Sequence, residues 1–103
     1  LAISTATRSP AVPDTPPVAE SGVPGYDATG WYGMLTPAGT PQAAINRLHA
    51  ETVKILTAPD FKARLAAEGA VSVGNTPAQF DKFIRDETAK WAKIIRDLKL
   101  RVD

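Results

Sequence analysis

Residues 8–25 read RSPAVPDTPPVAESGVPG and hold five of the chain's nine prolines. Proline fixes φ and removes a backbone donor, so this stretch can be neither a central strand nor a long helix. Two organisations survive that constraint. One is a flexible linker, which such a composition often forms. The other is an ordered, extended connection with one helical turn at Val18–Ser21, stopped by Gly22. Val12, Val18 and Val23 are spaced to anchor the segment, so the ordered connection is the expected one.

Regular structure must lie on either side. Residues 1–5, LAIST, have the character of a strand that begins without any lead-in, and the only methionine is Met34. Both features suggest a piece of a longer polypeptide. Trp31–Leu35 has strand propensity around Gly33, until Pro37 and Gly39 break it. Thr40-Pro41 predicts a helix start, with the threonine side chain as cap and proline in the first position. Ile45, Leu48, Ile55 and Leu56 share one face of that helix, which should end near Thr57 because Pro59 biases Ala58 out of the α region.

A second, short helix is expected from Pro59, with Phe61 and Leu65 on its buried side and Gly69 to end it. Ala70–Gly74 predicts a short edge strand. The clearest element is a third helix from about Pro77 to near Lys99. Thr76 and Gln79 have the spacing of a capping box. Phe80, Phe83, Ile84, Trp91 and Ile95 recur at helical spacing and are expected to be buried. Three helices with so few strands resemble half of an α/β layer whose central strands lie elsewhere.

Composition narrows the function classes. The 103 residues suffice for one small domain. Twelve basic residues are interspersed with eleven acidic ones for a net charge of +1. That balance offers no electrostatic footprint for nucleic acid or an anionic membrane. The absence of cysteine removes disulfides, thiolate catalysis and the common zinc sites. No apolar run approaches the roughly 20 residues of a membrane span.

The candidates for chemistry are few. His49, the single histidine, sits at the flank of the first helix's apolar face with no nucleophile or carboxylate converging on it, and reads as a rim residue. Glu87 falls between Phe83 and Trp91 on the apolar face of the third helix. There it could mark a functional site, but it more naturally meets an arginine or a backbone amide of a neighbouring element. PAGTP, residues 37–41, offers amides at a helix N-terminus but lacks the glycines and lysine of a phosphate loop. Trp31 and Tyr32 could line a pocket or pack in a core. No catalytic residue, metal-ligand spacing or cofactor motif emerges, and the residues alone describe a non-catalytic piece of an α/β protein.

Several strings nevertheless occur together and in order: Leu1-Ala2, Arg8-Ser9-Pro10, Pro13-Asp14, Pro16, Val18-Ala19-Glu20, Gly22, Pro24-Gly25-Tyr26, Trp31-Tyr32-Gly33 and Pro37-Ala38-Gly39-Thr40-Pro41. With the tail TPAQFDKFIRDETAKWAKIIRD, they resemble the C-terminal part of the tripartite tricarboxylate transporter receptors, the Bug family of periplasmic solute-binding proteins. The resemblance covers essentially the whole chain. Pro17 departs from the family's usual threonine, removing a side-chain cap that Asp14 or Thr15 would have to replace. Thr36 stands where alanine is usual, a change expected to be harmless.

The resemblance implies an α/β fold of two lobes joined by crossing strands, of the type II kind, with a small carboxylated molecule bound between them. Residues 1–24 would complete the second lobe. Residues 25–103 would supply a crossover strand and return to the first lobe. The chain would be a fragment of a non-enzymatic receptor in the periplasm of a Gram-negative bacterium, without cofactor or metal. It would act with the missing N-terminal part of the receptor and deliver a di- or tricarboxylate or acidic amino acid to membrane permease subunits. Ser4, Thr5 and Trp31 are the expected ligand-facing residues, because LAIST would be a strand end and ligands of open α/β sheets bind beyond such ends. The alternatives are a ligand-free structural piece that acts only by association with the rest of the receptor or with itself, and a small hydrolytic or acyl-binding domain. The second would need a base and nucleophile that His49 alone does not supply.

Overall fold

The computed structural model describes residues 1–101. A 3-10 turn at Val18–Ser21 is followed by three helices, α1 (Gln42–Thr57), α2 (Pro59–Ala67) and α3 (Pro77–Asp97). The chain divides into two units, Leu1–Val73 and the part from Gly74 onward.

In the first unit the proline-rich segment is an ordered series of turns. Val12 N–H donates to the Ser9 carbonyl at 3.1 Å and Thr15 N–H to that of Val12 at 3.0 Å. The 3-10 turn spans the residues expected of it and ends at Gly22, whose φ of 108° is costly for any side-chain-bearing residue. Neither Asp14 nor Thr15 replaces the missing cap: Pro17 is the N-cap and no side chain bonds there. The Ser21 hydroxyl instead donates to the Pro17 carbonyl at 2.9 Å.

The strand expected at residues 1–5 does not form. Ile3 makes a single parallel bridge to Pro17. Its N–H donates to the Pro16 carbonyl at 3.0 Å, and its carbonyl accepts from Val18 N–H at 2.9 Å. The ladder cannot lengthen, because Pro16 and Pro17 have no N–H to give and the chain turns helical at Val18.

Nor is there a strand at Trp31–Leu35 or Ala70–Gly74; no strand occurs among the described residues. A strand exists only where another backbone runs beside it, and Tyr32, Met34 and Leu35 lie in the open. Ala70 N–H is already bound to the Leu65 carbonyl at 2.8 Å.

The helix ends follow local chemistry, with one correction. The Thr40 hydroxyl does not cap α1; it donates backward to the Pro37 carbonyl at 2.8 Å. Pro41, expected inside the helix, is its N-cap. Ala58 leaves α1 with ψ of 132°, as a residue before proline must, and Pro59 opens α2. The end of α2 is a Schellman motif: Ala70 N–H reaches Leu65 and Gly69 N–H reaches Ala66, with Gly69 at φ 71°.

In the second unit, α3 carries the expected capping box. Gln79 N–H donates to Thr76 Oγ1 at 3.2 Å, and Thr76 N–H donates to Gln79 Oε1 at 2.9 Å. Its far end is also a Schellman motif, with Leu100 N–H on Ile95 and Lys99 N–H on Arg96. Here the left-handed position falls on Lys99, at φ 51°. Lysine there costs about 1–2 kcal/mol relative to glycine. Losing its charge near the helix end gives back about 0.3–1 kcal/mol. Lys99→Gly is therefore expected to stabilise α3 by about 0.5–1 kcal/mol, seen as a rise in the thermal midpoint of the helical circular-dichroism signal.

The expected burial on α3 does not occur. Phe80, Phe83 and Ile84 are half-covered, while Trp91 and Ile95 are exposed, Trp91 at 39%. Within its own unit α3 has no second helix or strand to pack against. Among the described residues no hydrophobic side chain forms a buried core, and Pro17 is the one fully shielded side chain.

Candidate ligand-binding site

Ser4 and Thr5 follow directly on the Ile3 bridge, where the chain bends away from Pro16–Val18. The Ser4 carbonyl accepts Ala28 N–H at 2.9 Å. The segment leading to Trp31 is thereby fastened beside the Ser4–Thr7 turn. Asp27 shapes that segment: its Oδ1 accepts from Thr29 N–H at 3.1 Å and from Thr29 Oγ1 at 2.5 Å. Trp31 follows two residues later and is 42% exposed.

The two hydroxyls are not equivalent. Thr5 Oγ1 donates to the Thr7 carbonyl at 2.8 Å, so its one proton is already committed and it is left as an acceptor. Ser4 Oγ engages no partner among the described residues, and Ser4 is exposed. Of the pair, Ser4 alone retains a hydroxyl proton for an anion.

The other sequence candidates fall elsewhere. The Glu87 carboxylate is nearly covered, at 16% side-chain exposure, and two of its partners come from its own helix. Oε1 pairs with Lys90 Nζ at 2.5 Å and Oε2 accepts Trp91 Nε1–H at 3.0 Å. Lys90 also lies over the Trp91 ring, 5.2 Å from its centroid. The cluster is a helical i, i+3, i+4 set that desolvates a carboxylate without opening it to a ligand. His49 Nε2 is shielded and makes no hydrogen bond. The 37–41 loop is a plain turn, with Gly39 at φ 82°. Among the described residues no group of His, Cys, Asp or Glu could hold a metal ion, and no helix is long and apolar enough to cross a membrane.

One contact went unread in the sequence. Arg8 Nη2 meets Glu20 Oε2 at 2.7 Å, while Nη1 donates to the Pro13 carbonyl at 3.2 Å. Opposite charges flanking a proline-rich stretch were the only available signal, and a separation of twelve positions gave no period to read.

Comparison with known proteins gives this geometry a context. Residues 1–100 match the family described as "Tripartite tricarboxylate transporter family receptor". The chain belongs to this receptor family. Among curated relatives, the UPF0065 protein in the tcbD-tcbE intergenic region of Pseudomonas sp. is 33% identical over 104 residues, covering 100% of this chain and 31% of that protein. BugT of Bordetella pertussis is 35% identical over 97 residues, covering 94% and 30%.

Two solved structures superpose closely. R. palustris Rpa4515 with adipate gives a TM-score of 0.81 at 31% identity, over 93% of this chain and 32% of that one. The periplasmic binding protein BugD gives 0.80 at 28%, over 93% and 33%. The chain thus spans about a third of the length of the receptors it matches. The family consists of solute-binding receptors, which are not enzymes. Among the described residues this chain has three α-helices and no strand, so the α/β layer expected from the sequence is present only in its helices.

Proposed function

We propose that this chain is the C-terminal third of a periplasmic receptor that captures a small organic anion for a tripartite tricarboxylate-type transporter. The observation that carries the reading is the close superposition on a receptor whose structure contains adipate, a dicarboxylate. In this reading residues 1–24 complete the second lobe. Residues 25–103 supply the crossover and the helices that return to the first lobe. The open side chains of Tyr32, Met34 and Leu35 and the exposed Trp91 and Ile95 of α3 fit that assignment.

Ser4, Thr5 and Trp31 form one wall of the cleft. Ser4 Oγ donates to a ligand carboxylate or to the water that bridges to it. Thr5 holds the turn through Thr7 and accepts from such a water. Trp31 walls the cleft where the chain crosses between lobes. Lobe closure then sequesters the ligand, and the closed form presents it to the membrane permease subunits.

Calorimetry of the complete receptor carrying this chain tests the reading. A panel of adipate, succinate, citrate and aspartate is expected to include at least one acid that binds one-to-one at micromolar affinity. Absence of heat with all four would overturn it. In that case the chain would be a structural piece acting only by association with the rest of the receptor or with itself, a reading its uncovered apolar faces also fit.

A further inference from the structure

We propose that Arg8 and Glu20 form a latch that positions the Ser4–Thr7 turn for the ligand; the ligand half of this role rests on the receptor reading above. The turn has few bonds of its own. Its one internal side-chain bond is Thr5 Oγ1 to the Thr7 carbonyl, and the N–H groups of residues 4–7 donate to no group among the described residues. Its position is therefore set at its two ends and by the Ala28 N–H that bonds the Ser4 carbonyl at 2.9 Å. Upstream, Ile3 is pinned through both its N–H and its carbonyl to Pro16 and Val18. Downstream, Arg8 spans the proline-rich loop, reaching Pro13 with one nitrogen and Glu20 with another.

Both anchor points land on Pro13–Glu20, so that stretch acts as a base plate and the turn as a strap stretched across it. The plate is suited to the purpose. Pro13, Pro16 and Pro17 restrict its backbone, and Pro17 is fully shielded. The Glu20 end is fixed by the 3-10 turn, where Glu20 N–H donates to the Pro17 carbonyl at 3.1 Å.

The pair is half exposed on both sides, at 50% and 49%. Such a pair adds little to global stability, so its consequence is local. Without it the strap keeps its Ile3 anchor and the Ala28 bond at Ser4 but loses the far end, and a ligand must then order the rest of the turn as it binds. Arg8 is also a cation close to a turn that would face an anion, which raises a rival role as a direct ligand contact. Charge neutralisation by Glu20 argues against that role and yields opposite predictions for the two.

Arg8→Gln, Glu20→Gln and the double variant of the complete receptor are titrated with the same four acids, and 15N relaxation of residues 4–7 is measured without ligand. The latch predicts a three- to tenfold rise in Kd for each single variant and no larger rise for the double, because both singles remove one shared interaction. Order parameters at residues 4–7 fall below about 0.6 in all three variants while the unfolding midpoint barely moves. Tighter binding by Glu20→Gln, which frees the Arg8 charge, would make Arg8 a direct anion contact and overturn the latch. A turn as rigid in the variants as in the wild type overturns it whatever the ligand does. A wild-type receptor that binds none of the acids overturns the receptor reading and the ligand half of the latch with it; relaxation still decides whether the pair holds the turn.

Discussion

Titrated alone with adipate, succinate, citrate or aspartate, the 103-residue chain is expected to give no measurable isotherm. The contribution proposed for it is one turn and one aromatic ring, and Trp31 is 42% exposed. A small-molecule site normally buries most of its ligand. A hydrogen bond to a carboxylate, a charged acceptor, nets only about 1.5–3 kcal/mol. Of Ser4 and Thr5 only Ser4 Oγ has a proton to give, so the gain stays below an association cost of at least about 4 kcal/mol. Affinity falls on the weak side of millimolar, which corresponds to about 4 kcal/mol. A well-formed one-to-one isotherm at micromolar affinity would place the entire site within these residues.

Trp91→Ala is expected to destabilise the complete receptor by about 3–5 kcal/mol, the range for removing a large aromatic from a packed layer. In the chain alone the same change should cost about 1 kcal/mol, since only the edge of a half-exposed ring and its cation–π contact are lost. The indole bond to Glu87 does not alter this contrast. The carboxylate keeps Lys90 as its partner in either setting, and the difference between settings isolates what covers the ring. Chemical denaturation of both forms, with and without the substitution, measures it. Equal small losses in the two settings would mean that this face of α3 stays uncovered in the receptor, and the lobe assignment would fail with it.

What could be read from the sequence divides along the range of the interactions. The capping box at Thr76 and Gln79, the break at Pro59 and the 3-10 turn stopped at Gly22 are settled within five residues, and each stands where local chemistry puts it. Strands are agreements between distant segments, so LAIST and Trp31–Leu35 carry the propensity without the partner. Burial on α3 failed for the same reason: periodicity identifies a face, while its cover comes from elsewhere. Thr40 was misread at short range, because its hydroxyl can serve either the helix amides or the Pro37 carbonyl and composition does not say which. At the candidate site, Ser4, Thr5 and Trp31 came from family resemblance and the strand-end rule. The committed proton of Thr5, the Ala28 tie and the Arg8–Glu20 pair required coordinates.

The polar side of α3 has a kinetic meaning. Asp81–Arg85, Lys82–Asp86 and Lys93–Asp97 are all i, i+4 pairs, and both ends of the helix are closed by their own residues. Each of these contacts spans no more than five positions, so making them closes only very short loops. The Ile3–Pro17 bridge and the Ser4–Ala28 tie must close loops several times longer before any bond rewards them. On the nascent polypeptide α3 thus needs the least help from what was synthesised before it, while the Ser4–Thr7 turn, made earlier, waits for residues still to come.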